Sequence, residues 1–408
     1  QGLKQYQVEN SKKLFEKWQG ELAQNHYPNA EHVARASERT RGKKRLLLVD
    51  HYVPTFDQDA GSRTIYEYIR LFQKEGYQVV LLPANFFRME RYTEIYQQMG
   101  VEVLYGPWYQ QHWDEWLVEN GPEFDLVFLS RPHIAAEFID DLRRHTHAPI
   151  LYYGHDLHHL REQRQYAVTK DPALPASIER WRTLEFELIR KADAAFYPSR
   201  VEEDYLKAQD PGLNVFTLPA FIYTGLEPPD YHIDGRRDLL FVGGFNHLPN
   251  VDAMRWFSKE IWPLVTAGLP GVRLHIVGSH PPEEIMQLAG DDIIVHGFVS
   301  DEALDALYQA CRISVVPLRY GAGIKGKVVE ALAKGLPVIT TPIGAEGLLG
   351  AGRFIEEHET PEAFARAVVA LYGDEARLAE MAQHGYIFVK ETFSPERVMA
   401  VIHASLPR

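Results

Sequence analysis

Short, mainly apolar runs alternate with amphipathic stretches along the chain from Arg45 onwards. Continuous apolar runs are typical of parallel strands that helices cover on both faces. Helical patterns between the runs, such as Ser62–Lys74 and Lys327–Lys334, predict repeated strand–helix–strand units. The predicted strands are Leu46–Asp50, Val79–Leu82, Val101–Leu104, Leu126–Leu129, Ile150–Tyr153, Ala194–Tyr197, Val215–Leu218, Leu239–Val242, Leu274–Val277, Ile293–Val295, Ile313–Val316 and Val338–Thr340.

The strands form two series, and a proline- and glycine-rich stretch in which the periodicity stops separates them. The chain is therefore predicted to be α/β, with two doubly wound Rossmann-like domains. Ligands of such sheets bind beyond the carboxyl ends of the strands, so the cleft between the domains is the expected site. The predicted parts are a helical arm (1–42), an N-terminal domain (43–220), a linker (221–236), a C-terminal domain (237–385) and a helix that crosses back to the N-terminal domain (386–408).

The composition narrows the class of protein. Of the 408 residues 45% are hydrophobic and 24% charged, which is ordinary for a globular protein and excludes disordered and coiled-coil classes. The net charge is −13, from 43 Lys+Arg and 56 Asp+Glu, so no nucleic-acid partner is expected. The single cysteine, Cys311, cannot form an internal disulfide, which favours a reducing compartment.

No apolar run approaches the roughly 18 residues that span a bilayer, so a cytoplasmic protein is expected. The aromatic run from Trp108 to Trp116 favours helix packing, and peripheral contact with the inner face of a membrane is the alternative. The chain begins with Gln1 rather than methionine, so a longer multi-domain protein is a further expectation.

A glycine-rich loop follows the predicted strand Ile313–Val316 and leads into a helix. Its glycines let backbone N–H groups approach an anion, and the helix N-terminus adds a partial positive charge. The spacing also begins like a nucleotide P-loop, but Val328 stands where that loop needs a hydroxyl for Mg²⁺. The glycines and basic residues of the loop are Arg319, Gly321, Gly323, Lys325, Gly326 and Lys327.

Glu330 begins the segment Glu-Ala-Leu-Ala-Lys-Gly-Leu-Pro-Val, which ends at Val338. This segment resembles the signature of the family 4 retaining glycosyltransferases, which have the GT-B fold. That signature is a pair of glutamates eight residues apart, the second followed by Ala-x-Ala-x-Gly-x-Pro-Val. Ala322 occupies the place of the first glutamate, which touches the donor sugar in the family. The resemblance implies that Glu330 holds the ribose of a nucleotide-sugar donor.

Other loops of the C-terminal domain resemble the rest of the family's donor site. Phe241–Asn250 stands where the family has its donor-phosphate loop, and Ile276–Ser279 and His296–Asp301 look like the loops around the nucleobase. The basic pair that the family usually has in the first of these loops is absent. Neutralising the donor phosphates is therefore expected of the basic residues in the glycine-rich loop. The implied donor-binding residues are Gly244, Asn246, Gly278, Phe298, Val299, Arg319, Gly323, Lys325, Lys327 and Glu330.

The resemblance implies that the N-terminal domain supplies the acceptor side. In the family a histidine after the strand matching Leu126–Leu129 lies beside the donor sugar, and it corresponds to His133. Asp156 and His158 are the other catalytic candidates. The acceptor-binding candidates are Gly61, Ser62, Arg63, Arg131, His155 and Arg161.

No metal and no cofactor are expected. Asp57 and Asp59 imitate a metal-binding Asp-x-Asp pair, but their place after the first strand favours helix capping. The histidines of 155–159 lack the regular helical spacing of a zinc site, and no cysteine assists them.

The resemblance implies a retaining, metal-independent transfer of a sugar from a nucleoside diphosphate sugar to a saccharide or lipid-linked acceptor, in bacterial surface polysaccharide synthesis. The preferred route is front-side, with the leaving phosphate taking the acceptor proton. A double displacement would use Asp156 as nucleophile. Two alternatives stay open: a GT-B phosphorylase or epimerase, and a nucleotide-sugar-binding module with a degenerate site.

Overall fold

The computed structural model of the protein describes residues 2–28, 35, 41–348 and 350–407. It begins with a polar helix, α1 (Gly2–Asn25), whose described side chains are largely exposed. Most of the remainder of the predicted arm lies outside the described residues. Within the described residues, no helix is both long enough and apolar enough to cross a membrane.

The first sheet has seven parallel strands in the order β3-β2-β1-β4-β5-β6-β7 once they are numbered along the chain. The elements of this domain are β1 (Lys44–Asp50), α2 (Ala60–Lys74), β2 (Tyr77–Pro83), α3 (Tyr92–Gln98), β3 (Glu102–Val103), α4 (Pro107–Asn120), β4 (Leu126–Ser130), α5 (Pro132–His145), β5 (Ile150–Tyr153), α6 (His158–Thr169), α7 (Leu174–Lys191), β6 (Ala194–Tyr197), α8 (Arg200–Gln209) and β7 (Val215–Thr217).

The second sheet has six parallel strands in the order β10-β9-β8-β11-β12-β13. Its domain consists of β8 (Arg237–Val242), α9 (Leu248–Trp256), a π-helical turn (Phe257–Ile261), α10 (Trp262–Gly268), β9 (Leu274–Val277), α11 (Glu283–Met286), β10 (Ile293–Gly297), α12 (Asp301–Ala310), β11 (Cys311–Val316), α13 (Gly326–Ala333), β12 (Val338–Thr340), β13 (Ile355–Glu357), α14 (Pro361–Tyr372) and α15 (Glu375–Thr392). The last helix is α16 (Pro395–Ser405).

The middle of strand β1, Leu46 to Val49, is apolar and fully buried. Leu47 and Val49 pack into the core on one face of the sheet, while Leu46 and Leu48 pack into the core on the other. Helices therefore cover both faces of the sheet. The predicted α/β architecture with two parallel sheets is confirmed.

The chain returns to the first domain at its C-terminal end. Val398, Met399 and Ile402 of α16 pack into a core of the first domain. Helix α15 belongs to the second domain, since it packs against α13. The crossing segment is thus α16 and not one helix from residue 386, because Pro395 cannot continue α15 and Ser394 caps a new helix.

The sequence pattern missed β13. This strand has three residues, two of which are Glu356 and Glu357, so it lacks the apolar run that marks the other strands. It pairs with β12 at the edge of the sheet, where one side of the strand is open to water.

Candidate functional site

The loops that follow β5 in the first domain and β11 and β12 in the second domain meet in the cleft. Arg164 of α6 forms an ion pair with Glu346, which follows β12, at 2.7 Å. Gly323 of the glycine-rich loop lies so close to the first domain that a Cβ there would be 3.6 Å from the carbonyl oxygen of His155. The loop after β5 and the glycine-rich loop therefore meet across the cleft.

Asp156, after β5, lies between two positively charged groups. Its Oδ2 binds Arg161, and its Oδ1 is 3.2 Å from Nδ1 of His158. Burial would raise the pKa of Asp156, but Arg161 and His158 lower it to about 2. Asp156 is therefore a carboxylate at neutral pH, and Arg161, an expected acceptor-binding residue, is its counter-ion.

Two glutamates from other helices cap α6. Leu157, the residue before the helix, has no side-chain oxygen that could cap it. Instead, the carboxylate of Glu202 in α8 accepts a hydrogen bond from the backbone N–H of Leu157 at 3.0 Å. Glu185 of α7 accepts from the N–H groups of His158 and His159, at 2.7 and 3.3 Å. Both carboxyl side chains are fully buried. Sequence reasoning missed them because they lie on helix stretches that look like ordinary charged faces.

The surroundings of His158 favour its charged form. Burial alone would lower its pKa, but the carboxylates of Asp156 and Glu185 outweigh burial and raise it. Its ring is 4.6 Å from that of Trp181, measured between centroids, so one side of the imidazole is covered.

His133 and His155, two other candidate histidines of the first domain, are neutral. Burial, His51 and Arg131 lower the pKa of His133 to about 4, and the ring of His51 lies edge-on to it at 5.4 Å. Burial also lowers the pKa of His155, whose Nε2 is 2.7 Å from Oγ of Ser130. His133 stands at the start of α5, where Pro132 precedes it, and is the residue that the resemblance assigned to the donor sugar.

The N-terminus of α2 contains three of the acceptor candidates. At Gly61 a Cβ would lie 2.7 Å from Nη2 of Arg131, whose Nε donates to Asp50 at 2.8 Å. Gly61 therefore makes room for the guanidinium. Ser62 is fully buried and donates to Asp59 from its backbone N–H and its hydroxyl, at 2.9 and 2.6 Å. We therefore reassign Ser62 from acceptor binding to the capping of α2.

Asp57 also has protein partners, since it accepts a hydrogen bond from the Tyr92 hydroxyl and lies 3.3 Å from Arg91. In the part of the chain that the structure describes, no group of three or more His, Cys, Asp or Glu side chains is placed to hold a metal ion.

Lys327 is the basic residue of the glycine-rich loop without a carboxylate partner among the described residues. Its Nζ donates to Asn250 of α9 and lies 5.0 Å above the ring of Phe241. Burial and the neighbouring charge of Lys325 lower the pKa of Lys327 to about 7. No side chain caps α13, so the positive end of this helix is open beside Lys327.

The other two basic residues expected at the phosphates are already paired. Nζ of Lys325 is 3.3 Å from Oε2 of Glu346 and also donates to the carbonyl oxygen of Gly323. Arg319 binds Asp252 of α9, with Nε at 2.9 Å from a carboxylate oxygen. Among the described residues, Lys327 is thus the one of these three basic side chains whose charge no carboxylate partner neutralises.

His247, in the loop after β8, was not among the candidates. Desolvation in the cleft and the positive charges of Lys327 and Arg161 lower its pKa to about 4. These interactions place His247 between the second domain and the charged cluster of the first. The sequence carried one signal for it, since His247 and Asn246 stand where the family has a basic pair. Asn246 is exposed and lies 3.4 Å from His280.

The two loops after β8 and β9 approach each other closely at their glycines. A Cβ at Gly278 would be 2.1 Å from the carbonyl oxygen of Gly243, and one at Gly244 would be 3.3 Å from Oγ of Ser279. The close approach requires glycine at position 278.

The remaining donor candidates lie beyond β10 and within α13. Phe298 is 62% exposed, while Val299 packs against the core. Burial raises the pKa of Glu330, and the charges of Arg63 and Lys334 oppose that rise. Arg63 belongs to α2, so Glu330 lies near the first domain as well as in the second.

The fold and the cleft define a class of protein, which comparisons with known structures identify as the GT-B class. Sucrose-phosphate synthase from Thermosynechococcus elongatus is 17% identical with a TM-score of 0.67, covering 89% of this chain and 98% of its own. S. aureus TarM is 10% identical with a TM-score of 0.70, with coverages of 89% and 98%. Anabaena Alr3699/HepE, solved with UDP-glucose, is 14% identical with a TM-score of 0.63, with coverages of 88% and 98%. The protein thus has the GT-B fold.

Sequence comparisons cover a part of the chain. Residues 236–374 match the family model described as Glycosyl transferases group 1. An uncharacterized 44.6 kDa protein in the cps region of Klebsiella pneumoniae is 26% identical over 173 residues, which is 40% of this chain. The match spans 45% of that relative, less than half of its length.

Proposed function

We propose that the protein is a glycosyltransferase that moves a sugar from a nucleoside diphosphate sugar to a saccharide or lipid-linked acceptor, with retention of configuration. One observation carries the proposal. Lys327 and the open N-terminus of α13 lie on one side of the cleft, and the cluster of His133, Asp156 and His158 lies on the other. The match of residues 236–374 to the group 1 glycosyltransferases supports it.

The donor would bind to the second domain. Glu330 would accept hydrogen bonds from the ribose hydroxyls, and the exposed ring of Phe298 would cover the nucleobase. The diphosphate would lie against Lys327 and the first N–H groups of α13, where charge and helix dipole both favour an anion. A nucleotide of this kind is consistent with HepE, a structural neighbour solved with UDP-glucose.

The electrostatics of Asp156 favour the front-side route. A carboxylate nucleophile is weakened when cations hold its oxygens, and Asp156 is bound to Arg161 and faces His158. Its pKa of about 2 reflects that stabilisation. We therefore assign Asp156 to the stabilisation of positive charge at the anomeric carbon. The leaving phosphate, stabilised by Lys327, would take the acceptor proton.

His133 would contact the donor sugar as a neutral imidazole. Since its pKa is about 4, it donates or accepts a hydrogen bond at neutral pH without adding positive charge beside the developing cation. The acceptor would approach from the first domain, beside Arg131 and His155. The position of the Klebsiella relative in a cps region supports an acceptor from surface polysaccharide synthesis.

Isothermal titration with UDP, GDP and dTDP and their sugars, in EDTA, tests the proposal. We expect one nucleoside diphosphate to bind in EDTA, because Lys327 and α13 supply the positive charge. Binding that EDTA abolishes and Mg²⁺ restores would contradict metal-independent binding. Binding of a nucleotide sugar without transfer to any saccharide or lipid-linked acceptor would favour a binding module instead, and release of sugar phosphate in the presence of phosphate would favour a phosphorylase.

A further inference from the structure

Arg164 of α6 joins the two domains through three hydrogen bonds. Its Nη1 and Nη2 each lie 2.7 Å from a carboxylate oxygen of Glu346. Nη1 also donates to the carbonyl oxygen of Gly321 at 2.7 Å. Gly321 opens the glycine-rich loop, and Glu346 lies in the loop after β12. One side chain of the first domain thus holds two loops of the second.

Glu346 connects this contact to the glycine-rich loop a second time. Its Oε2 is 3.3 Å from Nζ of Lys325, which in turn donates to the carbonyl oxygen of Gly323. The side chains of Glu346 and Lys325 are only 6% and 9% exposed. Because both charges are shielded from solvent, removing Glu346 leaves the charge of Lys325 without its carboxylate partner. The network therefore has few alternative arrangements.

Two glycines bring the domains into direct contact at this network. Gly347 has a φ of +81°, and a Cβ there would lie 2.6 Å from Cβ of Ser199. Gly323 has a φ of +69°, and a Cβ there would lie 3.6 Å from Cβ of Asp156 and 3.7 Å from Oε1 of Glu202. The backbone of the glycine-rich loop is thus seated directly on the charged cluster of the first domain.

We propose that Arg164 is a positioning residue for the donor site: through Gly321 and Glu346 it fixes the shape of the loop 321–326, which leads into α13. The hydrogen bonds of Arg164 go to Gly321 and Glu346 and not to Lys327 or α13, so it acts through the loop. Among the described residues, Arg164–Glu346 is the one ion pair that joins the two domains. The donor role of the loop rests on the proposed function, whereas the anchoring of the loop does not.

The planar guanidinium is required for this arrangement. It donates to two carboxylate oxygens and a carbonyl oxygen at fixed angles, which the single ammonium of a lysine cannot do. Positioning and simple electrostatics then predict different results. Losing Arg164 removes a positive charge near the diphosphate, and losing the charge of Glu346 removes a negative one. Electrostatics alone predicts that Arg164→Gln weakens anion binding and that Glu346→Gln strengthens it, whereas positioning predicts that both weaken it.

The affinity for the free nucleoside diphosphate identified by titration is measured for Arg164→Gln, Arg164→Lys, Glu346→Gln and the double variant. We expect both glutamine variants to raise the Kd about tenfold. Lysine should restore only part of the loss. The Kd of the double variant should not exceed the higher Kd of the two single variants, because both residues act through one contact. Arg190→Gln, which breaks an arginine–carboxylate pair within the first domain, is the matched control and should leave the Kd unchanged.

Tighter binding by Glu346→Gln would overturn the proposal, since the effect would then be electrostatic. Hydrogen exchange of residues 321–326 in the nucleotide-free protein gives a second, independent readout. We expect faster exchange of this loop in Arg164→Gln and unchanged exchange in Arg190→Gln. Unchanged exchange in Arg164→Gln would overturn the positioning role. If the wild-type protein binds no nucleotide, the proposed function fails, and the exchange measurement still decides whether Arg164 anchors the loop.

Discussion

The buried carboxylate of Glu185 lies 2.7 Å from the backbone nitrogen of His158 and 3.4 Å from Nδ1 of the same residue. With Asp156 at 3.2 Å on Nδ1, the imidazole faces two carboxylates. Both hold a proton on Nδ1 and stabilise the imidazolium. One side chain of α7 therefore sets the start of α6 and the charge of a catalytic candidate.

Replacing Glu185 should change the titration of His158. Burial would lower the pKa of His158, and the raised value depends on Asp156 and Glu185. Glu185→Gln removes one of these charges, so the pKa should fall and the imidazolium should be lost at a lower pH. Ring-proton NMR titration measures this directly. Glu187→Gln on the same helix, where the carboxylate pairs with Lys191, is the control. An unchanged pKa of His158 would contradict the assignment.

Lys327 should make nucleotide binding dependent on pH. Because its pKa is about 7, the Lys327 side chain of the nucleotide-free protein is mostly neutral above that pH. Binding an anion above pH 7 therefore requires Lys327 to take up a proton. We expect the Kd of the nucleotide sugar to rise with pH above 7, by up to about tenfold per unit. Lys327→Arg, which stays charged, should flatten this dependence. Calorimetry at several pH values measures both, and a flat wild-type profile would show that Lys327 does not face the phosphates.

The sequence pattern predicted the strands well because burial on both faces of a parallel sheet requires continuous apolar runs. It could not predict that Lys325 and Arg319 have carboxylate partners, since the contacting residues come from loops and helices far along the chain. The pair of Arg164 and Glu346 spans 182 residues. An arginine that bridges two domains has the same local sequence pattern as an exposed arginine on an amphipathic helix. Glu185 and Glu202 were missed for the same reason.

Glu330 should contribute to donor affinity through the ribose. Glu330→Gln keeps the volume and removes the charged acceptor, and charged hydrogen bonds contribute about 1.5–3 kcal/mol. Donor affinity should therefore fall roughly ten- to a hundredfold. Calorimetry on the folded variant measures the loss. An unchanged donor affinity in Glu330→Gln would show that Glu330 does not contact the ribose.

The division of labour between the lobes can be tested with the catalytic candidates. His133→Ala and Asp156→Asn should leave the affinity for the free nucleoside diphosphate nearly unchanged, because both residues belong to the first domain and are proposed to act on the sugar. Turnover should fall, since interactions that act on the developing charge raise kcat. Lys327→Ala should instead weaken nucleotide binding. If His133→Ala or Asp156→Asn costs as much nucleotide affinity as Lys327→Ala, these residues serve the structure and not the transfer.

Gly347 should be required for the contact between the lobes, and Gly350 offers a matched control. Both have a left-handed backbone, with φ of +81° and +79°, so alanine at either position adds strain of about 1–2 kcal/mol. A Cβ at Gly347 would meet Cβ of Ser199 at 2.6 Å, while one at Gly350 meets nothing within 4 Å. We therefore expect Gly347→Ala to lower the unfolding midpoint more than Gly350→Ala, because overpacking adds about 1–3 kcal/mol. Small-angle scattering should show a larger radius of gyration for Gly347→Ala alone if the lobes separate to relieve the contact. Equal midpoints and equal radii for the two variants would show that the lobes do not meet at Gly347 in solution.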